Sequence, residues 1–326
     1  MTASIVVSGA SGFIGRHLCA ALTARGLRVK ALVRRPGSAP ASVAAEHLAG
    51  DLAQHPNLQP WLEGVAAVVH CAGVSALPPR AKAGCYDDLM AANLEATHWL
   101  AQQAADAGVG RFIFLSTAKV NGEQTKADQA FVETDAHQPQ GAYACSKSLA
   151  EQALMALSAR RALPCVLIRP PLVYGPGVAG NMLRLMQLVE RGVPLPFAGL
   201  ENRRSLLGVD NLCDFVACAL DHPAAVGETF FVADEQVIST RELVLMLAAA
   251  LQRKARLFWV PPWLLRPLRL HGRLALSLDR LLGSLVVDTA KAQNSLGWRA
   301  PMTVAQGVER MVQGYHRTLY DHRASN

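Results

Sequence analysis

The run SIVVSGASGFIG at residues 4–15 restricts this chain more than any other stretch. A short apolar segment ends in three glycines, and a helical pattern follows at once from Phe13 to about Arg25. A continuous apolar run bounded by a turn signal reads as a buried strand. Gly9, Gly12 and Gly15 are spaced G-x-x-G-x-x-G. Glycine is needed where a backbone bends sharply, where it approaches a ligand, and where a helix packs tightly on a strand. A helix starting directly after such a turn presents unpaired N–H groups and a partial positive charge, which together hold phosphate. The spacing departs from the commoner G-x-G-x-x-G, but the strand–turn–helix context is the one a dinucleotide-binding turn requires. Gly9, Ser11, Gly12, Phe13, Ile14 and Gly15 are therefore expected to cradle a dinucleotide pyrophosphate. The alternative is a plain tight turn.

The alternation of apolar runs and helical patterns continues to about residue 170. RVKALVRR (28–35), AAVVHCAG (66–73), RFIFLST (111–117) and PCVLIRP (164–170) read as further strands, the last closing the series. Between them YDDLMAANLEATHWLAQQAADAG (86–108) is the clearest helix, with Leu89, Asn93, Ala96 and Leu100 on one face. Continuous apolar strands separated by helices predict an α/β fold with a Rossmann-type, doubly wound parallel sheet covered on both faces. After the turn-rich PPLVYGPG (170–177) the pattern becomes mainly helical, with helices near 181–191, 210–221 and 239–252 and a strand in ETFFVAD (228–234). Residues 1–170 are expected to form a dinucleotide-binding domain to which 205–222 return. Residues 171–204 and 223–326 would form a smaller substrate domain, with ligands in the crevice between.

The second strand ends in Val33-Arg34-Arg35. An acidic residue here would bond the adenosine ribose of NAD, whereas arginine suits a 2′-phosphate through a forked, charge-assisted contact. Arg34 and Arg35 thus favour NADP(H), with NAD(H) and a merely solvated pair of charges as alternatives. Asp51 and Leu52 suit the adenine end of the groove, or a polar turn.

Composition excludes several classes. Half the chain is hydrophobic (51%) and 17% is charged, so a large core is available. The formal net charge is +7, which calls for an anionic ligand, an acidic surface or nucleic acid. No zinc-finger spacing, RNA-binding motif or long basic run accompanies it, so nucleic acid is not expected. The ten histidines lack ligand spacing, and no metal site is expected. Cysteines at 19, 71, 85, 145, 165, 213 and 218 form no C-x-x-C pair and read as reduced thiols of a cytoplasmic protein. No signal peptide or membrane-spanning stretch is read.

Further phrases recur in a familiar order: VVHCAG (68–73), NLEAT (93–97), FLSTAKVNG (114–122), YACSK (143–147), RPPLVYGPG (169–177), NRRSLLGVDNL (202–212) and VVDTAKAQNSLGW (286–298). With GASGFIG and DL (51–52), they make nearly the whole chain resemble the extended short-chain dehydrogenase/reductase family of nucleotide-sugar epimerases, dehydratases and reductases. Tyr143 and Lys147, four apart, share one helix face. The resemblance implies that Tyr143 exchanges a proton with the reacting oxygen and that Lys147 bonds the nicotinamide ribose and favours the phenolate. It implies that Thr117 holds the same substrate oxygen and that Asn93 serves as a structural and proton-relay residue. Ser116 would sit by the nicotinamide, and Cys71, Ala72, Gly73, Pro170 and Val173 would complete the cofactor contacts. The alternative for Tyr143 is a half-buried aromatic beside a snorkelling lysine. A homodimer through the helices at 86–108 and 142–159 is common in this family.

Departures narrow the resemblance. Sugar dehydratases carry an acidic pair after the catalytic Ser/Thr, and here those positions are Ala118 and Lys119, so 4,6-dehydration is not expected. STAKVNGE (116–123) resembles a bacterial polysaccharide and O-antigen subgroup that includes NADPH-dependent 4-reductases of UDP-4-keto-6-deoxy-N-acetylhexosamines. An NAD-dependent UDP-hexose 4-epimerase shares the same catalytic residues and is the runner-up. Reductases of hydrophobic ketones and a non-catalytic cofactor sensor are more distant. For a UDP-sugar, the resemblance makes Arg204 a diphosphate contact. Asn181 is such a contact or a helix cap, and Arg280 a second phosphate contact. Ser75 and Lys119 are further substrate candidates. Residues 258–287, apolar and basic through Arg266, Arg269, Arg273 and Arg280, read as a wall over the site, an oligomer contact, or a peripheral contact with anionic membranes.

Overall fold

Parallel pairing of short apolar strands organises the molecule. A computed structural model of the chain describes residues 4–48, 50–75, 85–126, 128–261 and 282–324. Strand β1 (Ser4–Ser8) lies between β2 (Arg28–Val33) and β4 (Val65–His70), with β3 (Ala45–Leu48) at one edge. Beyond β4 come β5 (Arg111–Leu115), β6 (Cys165–Arg169) and β9 (Thr229–Phe231), in the order β3-β2-β1-β4-β5-β6-β9, every pair parallel. The strand order reverses between β1 and β4, the place where open α/β sheets take their ligands. A separate two-stranded ribbon pairs β7 (Leu172–Tyr174) with β8 (Leu206–Gly208).

Side-chain alternation along the strands builds two cores. Val6 of β1 and Phe112 and Phe114 of β5 point to one face, packing with Leu100 of α4 (Ala96–Asp106) and Leu154 of α5 (Gly141–Arg161). Ile5, Val7, Ile113 and Leu115 point to the other, against Leu18 of α1 (Phe13–Ala24) and Phe215 of α7 (Val209–Asp221). A period of two is what a sheet buried on both faces imposes.

The sheet recruits more of the chain than the sequence suggests. β6 does not close it, because β9 pairs with β6 through Leu167, Ile168 and Arg169. Helix α9 (Ala290–Leu296) and Trp298 also pack into the sheet core. Parts of 223–326 therefore belong with the sheet. A third core forms where α6 (Gly180–Glu190), α8 (Thr240–Ala250) and α10 (Val304–Ala324) meet, through Met182, Met186, Leu247 and Met311. Ser239 and Glu242 start α8 with a reciprocal capping box. No helix among the described residues is long and apolar enough to cross a membrane.

One buried carboxylate ties the ribbon, the sheet and the helical lobe together. Asp234 accepts from the Tyr174 hydroxyl (2.7 Å), the Gly208 N–H (2.9 Å) and Asn211 Nδ2 (2.7 Å). Asn211 in turn exchanges hydrogen bonds with the backbone of Met302. Burial pushes the Asp234 carboxyl up, while its three donors pull it back down. Removing the acceptor strands three buried donors. Asp234→Ala is expected to lower stability by about 2–4 kcal/mol, and Tyr174→Phe by only about 1 kcal/mol. Chemical denaturation of the two variants checks the ranking.

Candidate active site

The turn after β1 comes so close to the end of β4 that side chains are excluded. Gly9 has φ +68°, and a Cβ there would lie 2.6 Å from the Ala72 nitrogen. Gly12 N–H closes the turn on the Gly9 carbonyl at 2.9 Å, and Gly15 is buried against that same carbonyl in the first turn of α1. No side chain caps α1, so the N-terminal N–H groups face the groove without a side-chain acceptor. Ser11 and Gly12 are exposed at its mouth, whereas Phe13 and Ile14 lean back onto the sheet core. The groove encloses about 170 Å³ between this turn, Arg34, Asp51, Leu52 and the Cys71-Ala72-Gly73 segment.

The β2 end of the groove carries exposed charges. Arg34 and Arg35 project from the end of β2, and neither forms an ion pair among the described residues. The Ser38 hydroxyl takes the Arg35 carbonyl (2.7 Å), and the Glu46 carboxylate takes the N–H groups of Gly37 and Ala39 (2.7 and 2.9 Å). The loop beyond the arginines is thus held by its own bonds. Asp51 caps the short turn Leu52–Gln54 through the Ala53 N–H (3.0 Å), so the polar-turn reading holds while the residue still lines the groove.

At the opposite end the chemistry-bearing side chains converge. Tyr143 lies in the first turn of α5. Burial drives its phenol up to about 12, outweighing the downward influence of the neighbouring Thr117 hydroxyl, so it stays protonated at neutral pH. Lys147, one turn on, is 4% exposed and donates to the Leu115 carbonyl (2.8 Å) above the Phe114 ring (4.4 Å). Burial pushes it down to about 8, with Cys71 and Glu151 opposing. A side chain at Gly73 would meet Lys147 Nζ at 3.2 Å and Asn93 Oδ1 at 3.0 Å. Ser116 is 5% exposed, and its hydroxyl oxygen has no hydrogen-bond partner among the described residues. An orphaned hydroxyl beside this cluster, and a glycine cradle that a methyl group would fill, both fit a dinucleotide cofactor.

Asn93 sits in a π turn, Ala91–Glu95, that interrupts the expected continuous helix between α3 (Cys85–Met90) and α4. The bulge turns its side chain inward, where it accepts from the Val74 N–H (2.8 Å) and donates to the Val74 carbonyl (3.0 Å) and Ser146 hydroxyl (2.9 Å). A chain of buried groups that sequence reasoning missed leads from here to the glycine turn. The Thr97 hydroxyl donates to the Asn93 carbonyl (2.5 Å), so it must accept from His70 Nε2–H (2.9 Å). His70 Nδ1 then accepts from the Ser8 hydroxyl (2.5 Å), whose oxygen takes the Ala72 N–H (3.4 Å). Only the neutral Nε2–H tautomer satisfies every link.

The substrate-side candidates are more scattered. Thr117 caps a short turn through the Lys119 N–H (3.3 Å), and Pro170 anchors that turn by accepting the Ala118 N–H (2.9 Å). Lys119 grips the Glu123 carboxylate. Ser75 is exposed, and Val173 pairs with Leu207 in the ribbon. Asn181 lies within the first turn of α6, whose cap is Ala179, so the helix-cap reading does not hold. Arg204 donates to the Gly283 carbonyl (2.8 Å) and is pushed down to about 10 by burial. Arg266, Arg269, Arg273 and Arg280 lie outside the described residues.

Residues 5–233 match the sequence profile described as the NAD dependent epimerase/dehydratase family. A Vibrio cholerae protein named UDP-glucose 4-epimerase is 37% identical over 97% of this chain and 96% of its own length. A Stenotrophomonas maltophilia 2-alkyl-3-oxoalkanoate reductase is 30% identical over 76% of this chain and 75% of its own. Among solved structures, MoeE5 in complex with UDP-glucuronic acid and NAD superposes with a TM-score of 0.78 at 25% identity, covering 97% of this chain and 99% of that one.

Burial holds the His70 imidazole down to about 3, with the Lys147 charge adding to the effect. An unfolded chain would protonate it near ~6.5, so between those values the unfolded state binds more protons and stability falls as pH falls. Nitrogen-15 NMR of histidine-labelled protein is expected to show His70 as the neutral Nε2–H tautomer throughout pH 5–8. Protonation near 6.5 would contradict the chain of bonds.

Proposed function

The chain belongs to the NAD-dependent epimerase/dehydratase family, and on that premise we propose that it reduces the C4 ketone of a UDP-4-keto-6-deoxy-N-acetylhexosamine with NADPH, in bacterial polysaccharide synthesis. The observation that carries this reading is the cationic end of β2. Arg34 lines the cofactor groove and Arg35 stands beside it, both exposed and without an acidic partner among the described residues. A guanidinium at this place suits a 2′-phosphate, and a 2′-phosphorylated cofactor suits net reduction.

The groups that would hold the cofactor are the glycine turn, Arg34, Asp51, Ala72, Gly73, Ser116 and Lys147. When bound, its reduced nicotinamide would supply the hydride. Tyr143 donates its proton to the ketone oxygen as that oxygen gains charge, and Thr117 orients both. Lys147 would hold the ribose side of the cofactor and leave a positive charge beside the emerging phenolate. The protonation state supports this direction, since a phenol near 12 begins as an acid. Ala118 and Lys119 leave the site without the acidic pair that dehydration uses.

One observation favours a second reading. The 37% identical relative is named as a UDP-glucose 4-epimerase, and an epimerase of that kind oxidises and re-reduces one carbon on retained NAD. Purified protein is expected to bind NADPH exchangeably and more tightly than NADH, and Arg34→Asp to weaken NADPH by about 10- to 100-fold, the worth of one charge-assisted contact. NAD released only on denaturation would transfer the assignment to the epimerase. With a 4-keto-6-deoxy UDP-sugar, Tyr143→Phe is expected to lower kcat by about 10²–10⁴ while NADPH binding persists.

A further inference from the structure

The Lys119–Glu123 pair plays no part in the chemistry just described. Lys119 Nζ donates to both Glu123 oxygens, at 2.8 and 2.6 Å, and both side chains are partly exposed (25% and 29%). The pair starts from the Thr117 turn, because the Lys119 N–H bonds the Thr117 hydroxyl. Two residues beyond Glu123, Thr125 gives its N–H to the Ser284 carbonyl (2.9 Å) and accepts the Val286 N–H (3.2 Å). The same short segment is bonded on its other side by the neighbours of Arg204: Ser205 N–H to the Leu285 carbonyl and Leu285 N–H to the Arg203 carbonyl, each 2.9 Å. Arg204 itself reaches across to the Gly283 carbonyl at 2.8 Å. Residues 283–286 are therefore a common spine, with Glu123 carried on one edge and Arg204 on the other. The Glu123 charge partly offsets the downward push of burial on Arg204. Among the described residues, Lys119, Glu123 and Arg204 thus form a group of two cations and one carboxylate about this spine, with a net charge of +1.

Among the described residues the half-buried Arg204 guanidinium has one carbonyl acceptor, which leaves donors available to an anion. We propose that Glu123 is a resident counter-ion of the substrate site: held by Lys119 and set opposite Arg204, it weakens the grip of this cluster on a diphosphate, so that free nucleoside diphosphate does not occupy the site as tightly as two bare cations would hold it. The proposal rests on the sugar-nucleotide reading above, in that a diphosphate is the anion concerned. Electrostatics makes the prediction directional. Neutralising Glu123 raises the local charge from +1 to +2 and strengthens anion binding. Neutralising Lys119 as well returns it to +1.

Calorimetric titration of UDP and of uridine into wild type, Glu123→Gln and the double variant Lys119→Gln/Glu123→Gln tests this. Glu123→Gln is expected to bind UDP about three- to tenfold tighter, as suits a partly exposed charge. Uridine affinity should not change, and the gain should shrink as salt is raised. The double variant should return to within about twofold of wild type. If Glu123→Gln fails to fold, Glu123→Ala serves in its place, with the same expected gain and the same overturning result. UDP binding by Glu123→Gln that is equal to or weaker than wild type overturns the counter-ion role and leaves the sugar-nucleotide reading standing. If UDP binds none of the three proteins, that reading falls and the counter-ion role falls with it.

Discussion

The approach of β1 to the end of β4 is the constraint on which the rest of the site depends. The Gly9 turn touches the Ala72 backbone, and Gly73 leaves just enough room for Lys147 and Asn93 behind it. Contact this close leaves no room for side chains to set the register. Buried polar groups set it instead: Ser8 reaches Ala72, His70 reaches Ser8, and Thr97 carries the chain to the turn that aims Asn93. A hydrogen bond left unmade in such a place costs more than a made one contributes, so a chain satisfied by one tautomer specifies one geometry. The glycine turn and the helix that carries Tyr143 and Lys147 are thereby registered through a single imidazole.

A second buried assembly fixes the helix that carries Tyr143 and Lys147. Glu151, one turn beyond Lys147, receives Arg169 from the end of β6 through bonds of 2.6 to 3.2 Å, and both side chains are almost fully buried. Arg169 also donates to Asn121 Oδ1 (3.1 Å) and to His137 Nε2 (2.6 Å), while His137 Nδ1 bonds the Ser148 hydroxyl (2.8 Å). Because Arg169 can only donate, His137 must be neutral and carry its proton on Nδ1. A buried ion pair contributes little net stability, since desolvation offsets much of its attraction. Its directional bonds instead define one position for α5 relative to β6 and the 118–137 loop, and that position brings Tyr143 to Thr117.

The parts of this structure legible in the sequence are those dictated by local chemistry. The glycine turn, the alternating strands, and the Tyr143–Lys147 face each follow from spacings of a few residues, and each appears as expected. The face Leu89, Asn93, Ala96 and Leu100 is buried as its periodicity predicts. Periodicity could not reveal the π turn, because an extra residue in one turn barely disturbs an apolar stripe. β9 is three residues long and acquires its place only from pairing with β6, some sixty positions earlier. His70 in an apolar strand and Arg169 at the end of another were visible signals, since buried polar side chains need partners. The partners lie 27 and 62 positions from His70 and 18 to 48 from Arg169, and no local pattern announces them. Glu123 is hidden for a related reason: positions 118 and 119 carry no carboxylate, and this one reaches Lys119 only by folding back from four positions on.

Desolvation also sets the resting protonation of the site. Burial raises the Tyr143 phenol and lowers the Lys147 ammonium, both toward the neutral form. One physical cause therefore disposes the bare protein toward a protonated acid beside a cation whose charge is only lightly held. Reduction of a ketone uses that state directly, because its first demand is a proton donor. Oxidation of an alcohol demands the phenolate, and with the phenol near 12 that form is scarce at neutral pH until a further positive charge arrives. A positive charge entering with an oxidised cofactor would make the reverse reaction more feasible. On the reading proposed above, how firmly the cofactor stays bound would separate a reductase from an epimerase built on the same residues.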